Sequence, residues 1–328
     1  MTEAVHFRVR PARPEAHLFE VQCTVTAPDP AGQVVSMAAW IPGSYMIRDF
    51  AKNVVRLGAH CGETPVAATK VDKQTWRCGP CNGPLTLTYE VYAWDLSVRS
   101  AHLDRTHAYF NGTSLFLRVQ GAEKSACTVE LLPPEGEAYT HWQVATTLPR
   151  SEAPEHGFGI YRAADYDELV DHPVEMGTFT LVRFEACETP HEVAITGRHR
   201  ADTGRLARDL RRICEHHIRF FGEPAPMPCY LFQVMAVGDG YGGLEHRAST
   251  SLMCKREHLP AQGREAVTEG YRSFLGLCSH EYFHTWNIKR IKPAAFIPYD
   301  LEREIHTPLL LAFEGITSYY DDLALVRC

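Results

Sequence analysis

Hydrophobic and polar residues alternate with a two-residue period through most of the first 173 residues. Segments rich in β-branched and aromatic residues are separated by proline, glycine, asparagine and aspartate, as strands are separated by turns. No long helical period competes with this pattern. The pattern therefore predicts an all-β domain of sandwich or saddle type with antiparallel sheets. The clearest segments are 18–25, 34–40, 85–94, 114–119 and 127–132.

Beyond about residue 173 the pattern changes to a mixture of strands and helices. From Thr203 onward, apolar residues recur every three or four positions, as they do on one face of a helix. The adjacent His216 and His217 diverge by about 100° on that helix, so we expect packing or surface roles for them. The chain is therefore predicted to be α+β, with domains at 1–173 and 174–328. Strands of the second domain are predicted near 177–187, 192–197, 229–237 and 248–253.

A second helical pattern begins at Val267 and contains the sequence H-E-x-x-H. His280 and His284 lie one turn apart and point away from the apolar stripe, so two imidazoles can hold one metal ion. In zinc peptidases a carboxylate at the position of Glu281 serves as the general base that deprotonates water. The five-residue pattern also arises by chance, so its context must decide the interpretation.

A later helix, predicted over about residues 309–326 with Thr307 as its N-cap, supplies a third ligand. Glu314 lies in it among apolar neighbours, and a carboxylate there is costly to bury unless a cation such as Zn²⁺ pairs with it. Asp321 follows seven residues later on the same face. It can accept the second N–H of a ligand histidine and fix its tautomer, and a solvated helix end is the alternative.

Four segments of the chain resemble the glycyl aminopeptidases, a family of gluzincin zinc metallopeptidases, in the order in which that family carries them. The resemblance implies an N-terminal β domain followed by a thermolysin-like catalytic domain, with Zn²⁺ as cofactor and a peptide as substrate. Family members continue into a helical subdomain and a PDZ domain, whereas this chain ends at Cys328, so we expect a catalytic domain truncated at its C-terminal end. The four segments are 40–49, 242–246, 280–293 and 313–320.

The resemblance also implies substrate-binding residues. In related aminopeptidases the glutamate that corresponds to Glu245 binds the free α-amino group, and Glu245 is expected just before a strand at the cleft edge, where peptides add. Gly242 and Gly243 would let the substrate backbone approach closely, although a flexible turn is the alternative interpretation. The expected function is an aminopeptidase that releases small N-terminal residues such as glycine, with Glu281 as general base.

Two other functions stay open at this stage. The first is an incomplete or non-catalytic form that binds zinc and peptide without efficient turnover. The second is a different zinc hydrolase on the same scaffold, either an enzyme that opens epoxides, as related zinc enzymes do, or a zinc endopeptidase.

The composition and the N-terminal sequence limit the kinds of binding partner and the cellular location that we expect for this protein. The chain has 328 residues, 45% of them hydrophobic, which suffices for two domains, and no apolar run approaches the length of a membrane span. A net charge of −7 without basic runs argues against nucleic acid and against an anionic membrane surface. No secretory signal is recognisable at the start, so a cytoplasmic location is expected. The sequence gives no indication of the oligomeric state.

The eleven cysteines show neither a disulfide framework nor paired zinc-binding spacings, so most are expected to be small buried hydrophobes. Cys78 and Cys81 form a C-x-x-C sequence that imitates the thioredoxin motif. That motif needs a helix that starts at the first cysteine and lowers its thiol pKa. Because turn residues and a strand at 85–92 follow instead, a hairpin turn without redox function is predicted.

Overall fold

The computed structural model describes residues 4–44 and 46–328, which form twenty β-strands and four α-helices. This α+β content, with mostly strands and few helices, confirms the predicted fold class. Contacts between residues divide the chain into two compact units. The first unit is Met1–Thr178 with Asp300–Glu304, and the second is Phe179–Tyr299 with Ile305–Cys328. No helix in the described part of the chain is both long enough and apolar enough to span a bilayer.

The first unit contains fifteen short strands and one short helix. The helix, α1, is Tyr166–Val170. The strands are β1 Val5–Arg13, β2 Leu18–Val25, β3 Val34–Met37, β4 Val54–Cys61, β5 Thr64–Val66, β6 Ala68–Lys70, β7 Thr75–Cys78, β8 Leu85–Tyr92, β9 Ala101–Leu103, β10 His107–Phe110, β11 Leu117–Val119, β12 Cys127–Leu131, β13 Gln143–Ala145, β14 Gly159–Ala163 and β15 Val174–Gly177.

These strands form three sheets. The largest has seven strands in the order β14-β12-β1-β2-β8-β4-β5, and the four-stranded sheets have the orders β13-β15-β10-β9 and β11-β3-β7-β6. In β2 and β8, every second residue is buried, which explains the alternation in the sequence. The prediction of purely antiparallel sheets is wrong, because β1 and β12 pair in parallel. A parallel pair needs a long crossover, and here about a hundred residues separate the two strands.

Five residues from late in the chain belong to the first unit. The amide of Ala39 donates to the carbonyl of Leu301 at 2.8 Å. The carboxylate of Glu302 pairs with the guanidinium of Arg118 at 2.7 Å. Residues 300–304 are therefore held by a backbone hydrogen bond and an ion pair, interactions that leave no periodic trace in the sequence.

The second unit places its helices around a five-stranded sheet of order β16-β17-β18-β20-β19. The predicted helix from Thr203 is confirmed, and Asp202 caps it by accepting the amide of Arg205 at 2.9 Å. The elements are β16 Phe179–Ala186, β17 Thr189–Thr196, α2 Thr203–Phe221, β18 Tyr230–Val237, β19 Gly242–Glu245, β20 Ser249–Lys255, α3 Glu269–Phe283, a π-helix Leu311–Gly315 and α4 Ile316–Arg327.

The glycine-rich segment forms a strand rather than a turn that precedes one. Gly242–Glu245, which is β19, pairs antiparallel with β20 at the edge of the sheet, so Glu245 lies within the edge strand itself. The sequence could not reveal this strand, because glycine has low strand propensity and offers no side-chain alternation.

One cysteine pair departs from the sequence-based expectation. Cys61 and Cys81 form a disulfide, although no framework was predicted. The reason is sheet pairing: Cys61 ends β4 opposite Leu85 of β8, which brings it beside the loop that carries Cys81. Cys78 ends β7 and is followed by that loop, so the predicted absence of a helix at the C-x-x-C sequence is confirmed. The predicted hairpin is wrong, because β7 and β8 belong to different sheets.

The buried thiol of Cys78 should be chemically inert. Burial raises its pKa to about 11, so at pH 8 the reactive thiolate is rare. Compared with a thiol of pKa 9, alkylation of Cys78 by iodoacetamide should be about 100-fold slower from this pKa difference alone. Mass spectrometry of the timed reaction measures this, with an unstructured peptide that contains one cysteine as the reference thiol. Equal labelling rates at Cys78 and in this peptide would contradict the assignment.

Candidate metal centre and active site

Helix α3 carries the two histidines of the H-E-x-x-H sequence. Thr268 caps its start by accepting the amide of Tyr271 at 3.1 Å, and the helix buries Tyr271 and Phe274 in the core of the second unit. His280 lies in the last turn and His284 is the C-cap residue, still in helical conformation. Their Nε2 atoms are 3.1 Å apart. The helix therefore brings two imidazole nitrogens to one point.

Glu314 reaches the same point from the π-helix Leu311–Gly315. Its Oε2 lies 3.4 Å from Nε2 of His280 and 3.7 Å from Nε2 of His284. The sequence predicted one regular helix over residues 309–326, and the π turn is a departure from it. A π turn inserts one extra residue into a helix and so redirects the side chains around it, which is frequent at functional sites.

Hydrogen bonds fix the tautomers of both histidines. Nδ1 of His280 donates to Oδ2 of Asp321 at 2.7 Å, and Nδ1 of His284 donates to the carbonyl of Asn287 at 2.9 Å. Both acceptors can only accept, so each Nδ1 carries a proton, and each ring in its neutral form presents a lone pair at Nε2. Two lone pairs at 3.1 Å cannot hydrogen-bond to each other. Together with the Glu314 carboxylate they form a ligand set that could hold a divalent metal ion.

The electrostatics of His280 support a cation at this point. Burial lowers the pKa of His280, but the hydrogen bonds with Asp321 and Glu314 outweigh it and raise the pKa to about 10. The surrounding carboxylates thus stabilise positive charge on or beside this imidazole. A divalent cation bound at Nε2 would be stabilised by the same carboxylates, and the ring would then stay neutral.

Glu281 is buried beside the edge strand β19. Its carboxylate can lie this close to the strand only because the strand has a glycine, Gly243, at that point. A Cβ atom on Gly243 would lie 2.5 Å from Cδ of Glu281 and closer still to its Oε1. Side chains alternate along a strand, so Glu245 shares the face of Gly243. One carboxylate oxygen each of Glu245 and Glu281 and a ring nitrogen of His284 lie within 4.8 Å of one another.

Asn287 is a supporting residue that the sequence analysis missed. Its carbonyl holds His284, while its Nδ2 donates to the carbonyl of Ala312 at 3.0 Å and to Oγ1 of Thr317 at 3.1 Å. It therefore links the end of α3 to the π-helix and to α4. The sequence could have indicated this role, because Asn287 follows His284 by three residues, just beyond the end of the helix.

Ser279 and His217 form a second supporting contact behind the two histidines of the H-E-x-x-H sequence. Oγ of Ser279 donates to the carbonyl of Asp321 at 3.1 Å and accepts from Nε2 of His217 at 2.8 Å. Burial lowers the pKa of His217 to about 3, so this ring stays neutral. The packing role predicted for His217 is confirmed. Ser279 lies three or four residues from Leu275, Tyr282 and Phe283, and a serine on such an apolar helix face was the signal available in the sequence.

The structure thus brings His280, His284, Glu314 and Asp321 to one cluster. Glu281, Gly243 and Glu245 lie next to it, and Gly242 precedes them as the first residue of β19.

Comparison with known proteins gives a consistent result. A family model described as the peptidase M61 N-terminal domain matches residues 6–178, and a model described as M61 glycyl aminopeptidase matches residues 273–328. The chain belongs to the M61 glycyl aminopeptidase family. This confirms the resemblance inferred from the sequence segments.

A solved crystal structure supports the same family assignment. The protein, described as an aminopeptidase N family protein from Idiomarina loihiensis, is 43% identical to this chain and superposes with a TM-score of 0.95. The match covers 98% of this chain and 54% of that one, so the chain spans about half the length of this relative. A search of curated proteins found no match.

The absence of a side chain at Gly243 should be essential for placing Glu281. In Gly243→Ala, the new methyl group would force the Glu281 carboxylate away, and a displacement of about 1 Å can cost on the order of 100-fold in rate. We expect kcat/KM for peptide hydrolysis to fall by at least that factor, while metal content stays unchanged. Gly238→Ala is the matched control, because nothing lies within 4 Å of its added Cβ. Full activity in Gly243→Ala would refute this contact.

Proposed function

We propose that this chain forms the site of a zinc-dependent aminopeptidase on a thermolysin-like scaffold. The observation that carries the proposal is the convergence of two imidazole lone pairs and the Glu314 carboxylate next to the buried Glu281. Two nitrogens and one oxygen are a common ligand set of catalytic zinc, which keeps a fourth position open. The five-stranded sheet with an H-E-x-x-H helix against it is the support for the thermolysin-like scaffold.

His280, His284 and Glu314 would hold the metal. When bound, zinc supplies Lewis acidity, which makes water more acidic and polarises a carbonyl group. Asp321 and Asn287 keep both imidazoles in the tautomer that ligates. Their contribution is orientation, because each fixes a ring through Nδ1 rather than through the ligating nitrogen.

Glu281 acts as the general base in this proposal. Its carboxylate takes a proton from the attacking water and delivers it to the leaving amine nitrogen. Its burial against β19 keeps the carboxylate in one position and away from bulk water. One residue therefore moves the proton in both halves of the reaction.

Glu245 would bind the substrate's free α-ammonium group. It is buried on the edge strand, on the face that also meets Glu281, so an N-terminus bound there would lie close to the general base. The outer edge of β19 can pair with an extended peptide, with Gly242 and Gly243 letting its backbone approach. Preference for a small residue such as glycine rests on the family assignment.

Removal of a single ligand should lower the number of tightly bound zinc ions by one. His284→Ala leaves too few protein ligands at this site, whereas Glu281→Gln leaves all three. We therefore expect Glu281→Gln to retain the metal and lose activity. Asp321→Asn should weaken zinc affinity by about 10- to 100-fold, because it no longer fixes His280 as firmly. Elemental analysis and competition with a chelator measure these effects. Equal zinc content in His284→Ala and the parent would disprove the ligand assignment.

The aminopeptidase assignment predicts a requirement for a free N-terminus. Loss of a buried charge pair between Glu245 and the substrate ammonium should cost about 2 to 4 kcal/mol, or roughly 30- to 1000-fold in kcat/KM. Glu245→Gln should show this loss with Gly- and Ala-anilides, and acetylated anilides should be poor substrates of the parent. Glu257→Gln, at an exposed glutamate, is the control. Efficient cleavage of acetylated substrates would indicate an endopeptidase instead.

A further inference from the structure

The hairpin of β9 and β10 carries a second cluster of metal-ligating side chains. Leu103 pairs with Ala108, and the amide of Asp104 donates to the carbonyl of His107 at 3.0 Å across the turn. Because directly opposed residues and alternate residues of a strand share a face, His102, Asp104 and His107 project from the same side. One ligand atom of each lies within 4.8 Å of those of the other two.

His107 has the hydrogen bonding of a metal ligand. Its ring is 2% exposed, and its Nδ1 donates to Oε1 of the buried Glu175 on the neighbouring strand β15 at 3.1 Å. That bond leaves the lone pair on Nε2, which is buried and has no hydrogen-bond partner among the described residues. A carboxylate behind the ring and a lone pair in front of it are the usual arrangement of a ligand histidine.

His102 and Asp104 have the spacing expected of two ligands on one ion. Nε2 of His102 lies 3.4 Å from Oδ2 of Asp104, which is long for a hydrogen bond. Two ligand atoms about 2.0 to 2.1 Å from a tetrahedral zinc ion lie about 3.4 Å apart. The His102 ring is held between Trp94 and His107, with ring centroids at 4.8 and 4.9 Å. Its Nδ1 is also buried without a hydrogen-bond partner in the described part of the chain.

Hydrogen bonds within the turn hold the carboxylate of Asp104 in one orientation. Its Oδ1 accepts the amide and the hydroxyl of Thr106, both at 2.6 Å, and the amide of His107 at 3.1 Å. Oδ1 is thus occupied by the turn, and Oδ2 lies on the side of His102.

We propose that His102, Asp104 and His107 form a second transition-metal site, distinct from the proposed active site, with Glu175 orienting His107. Two imidazoles and one carboxylate favour zinc and similar divalent ions over magnesium or calcium, which prefer all-oxygen sites. All four residues belong to the first unit and none belongs to the H-E-x-x-H cluster. A bound ion would hold β9 and β10 together at the turn of their hairpin, through His102 on one strand and His107 on the other, which is a structural role.

The test uses the full chain with the active-site ligand removed, so that the two sites are counted separately. Metal-free His284→Ala is titrated with Zn²⁺ by calorimetry and with Co²⁺ by visible absorption. We expect one zinc ion per chain, d–d bands of four- or five-coordinate cobalt, and a higher Tm in the presence of zinc. Adding Asp104→Asn should weaken zinc binding at least tenfold, and adding His107→Ala should abolish it. Adding His60→Ala, at an exposed histidine, should change neither result.

Folding of each variant is checked by near-ultraviolet circular dichroism in chelator. If His107→Ala unfolds, Asp104→Asn and His102→Gln carry the test through the zinc-dependent rise in Tm. The site is refuted if His284→Ala binds no zinc. It is equally refuted if binding persists unchanged in the folded Asp104 and His102 variants. Because every arm lacks His284, failure of the active-site proposal would appear separately, as unchanged zinc content on removing His284 alone.

Discussion

The Nε2 atoms of His280 and His284 face each other at 3.1 Å, and the surrounding residues of the second unit must stabilise this arrangement. Such an arrangement is repulsive unless a positive charge lies between the rings, so the fold must supply both orientation and negative charge. Asp321 and the carbonyl of Asn287 hold the rings from behind, and Glu314 adds a carboxylate in front. The π turn places Glu314 in this cluster. Asn287 contributes to the same cluster, because it links the end of α3 to the helix that follows the π turn.

The parts of the site that could be predicted are those set by local geometry. The one-turn spacing of His280 and His284 depends only on helix periodicity. Glu314 and Asp321 were found because a carboxylate among apolar neighbours, and another seven residues later, indicate a helix face that meets a cation. The alternating strands of the first unit and the helix from Thr203 were predictable for the same reason, since each depends on residues close in the chain.

The parts that could not be predicted depend on contacts between distant residues or on the backbone alone. The Cys61–Cys81 disulfide follows from the pairing of β4 with β8, which spacing does not reveal. The glycines of β19 leave no alternating pattern, so the edge strand was not recognised as one. The π turn has no known compositional signature here, and regular helix periodicity continues across it. The return of residues 300–304 to the first unit leaves no periodic trace either.

The alternation of β19 has a consequence for where a chain would be cut. Gly243 and Glu245 lie two residues apart on one face, about 6.6 Å along the strand, and the first of them receives the base Glu281. In the proposed reaction, the anchor for the amino end and the proton acceptor are therefore fixed to the same short piece of main chain. The distance between these two groups is then set by the protein backbone, and it does not depend on the length of the peptide beyond the bond that is cut.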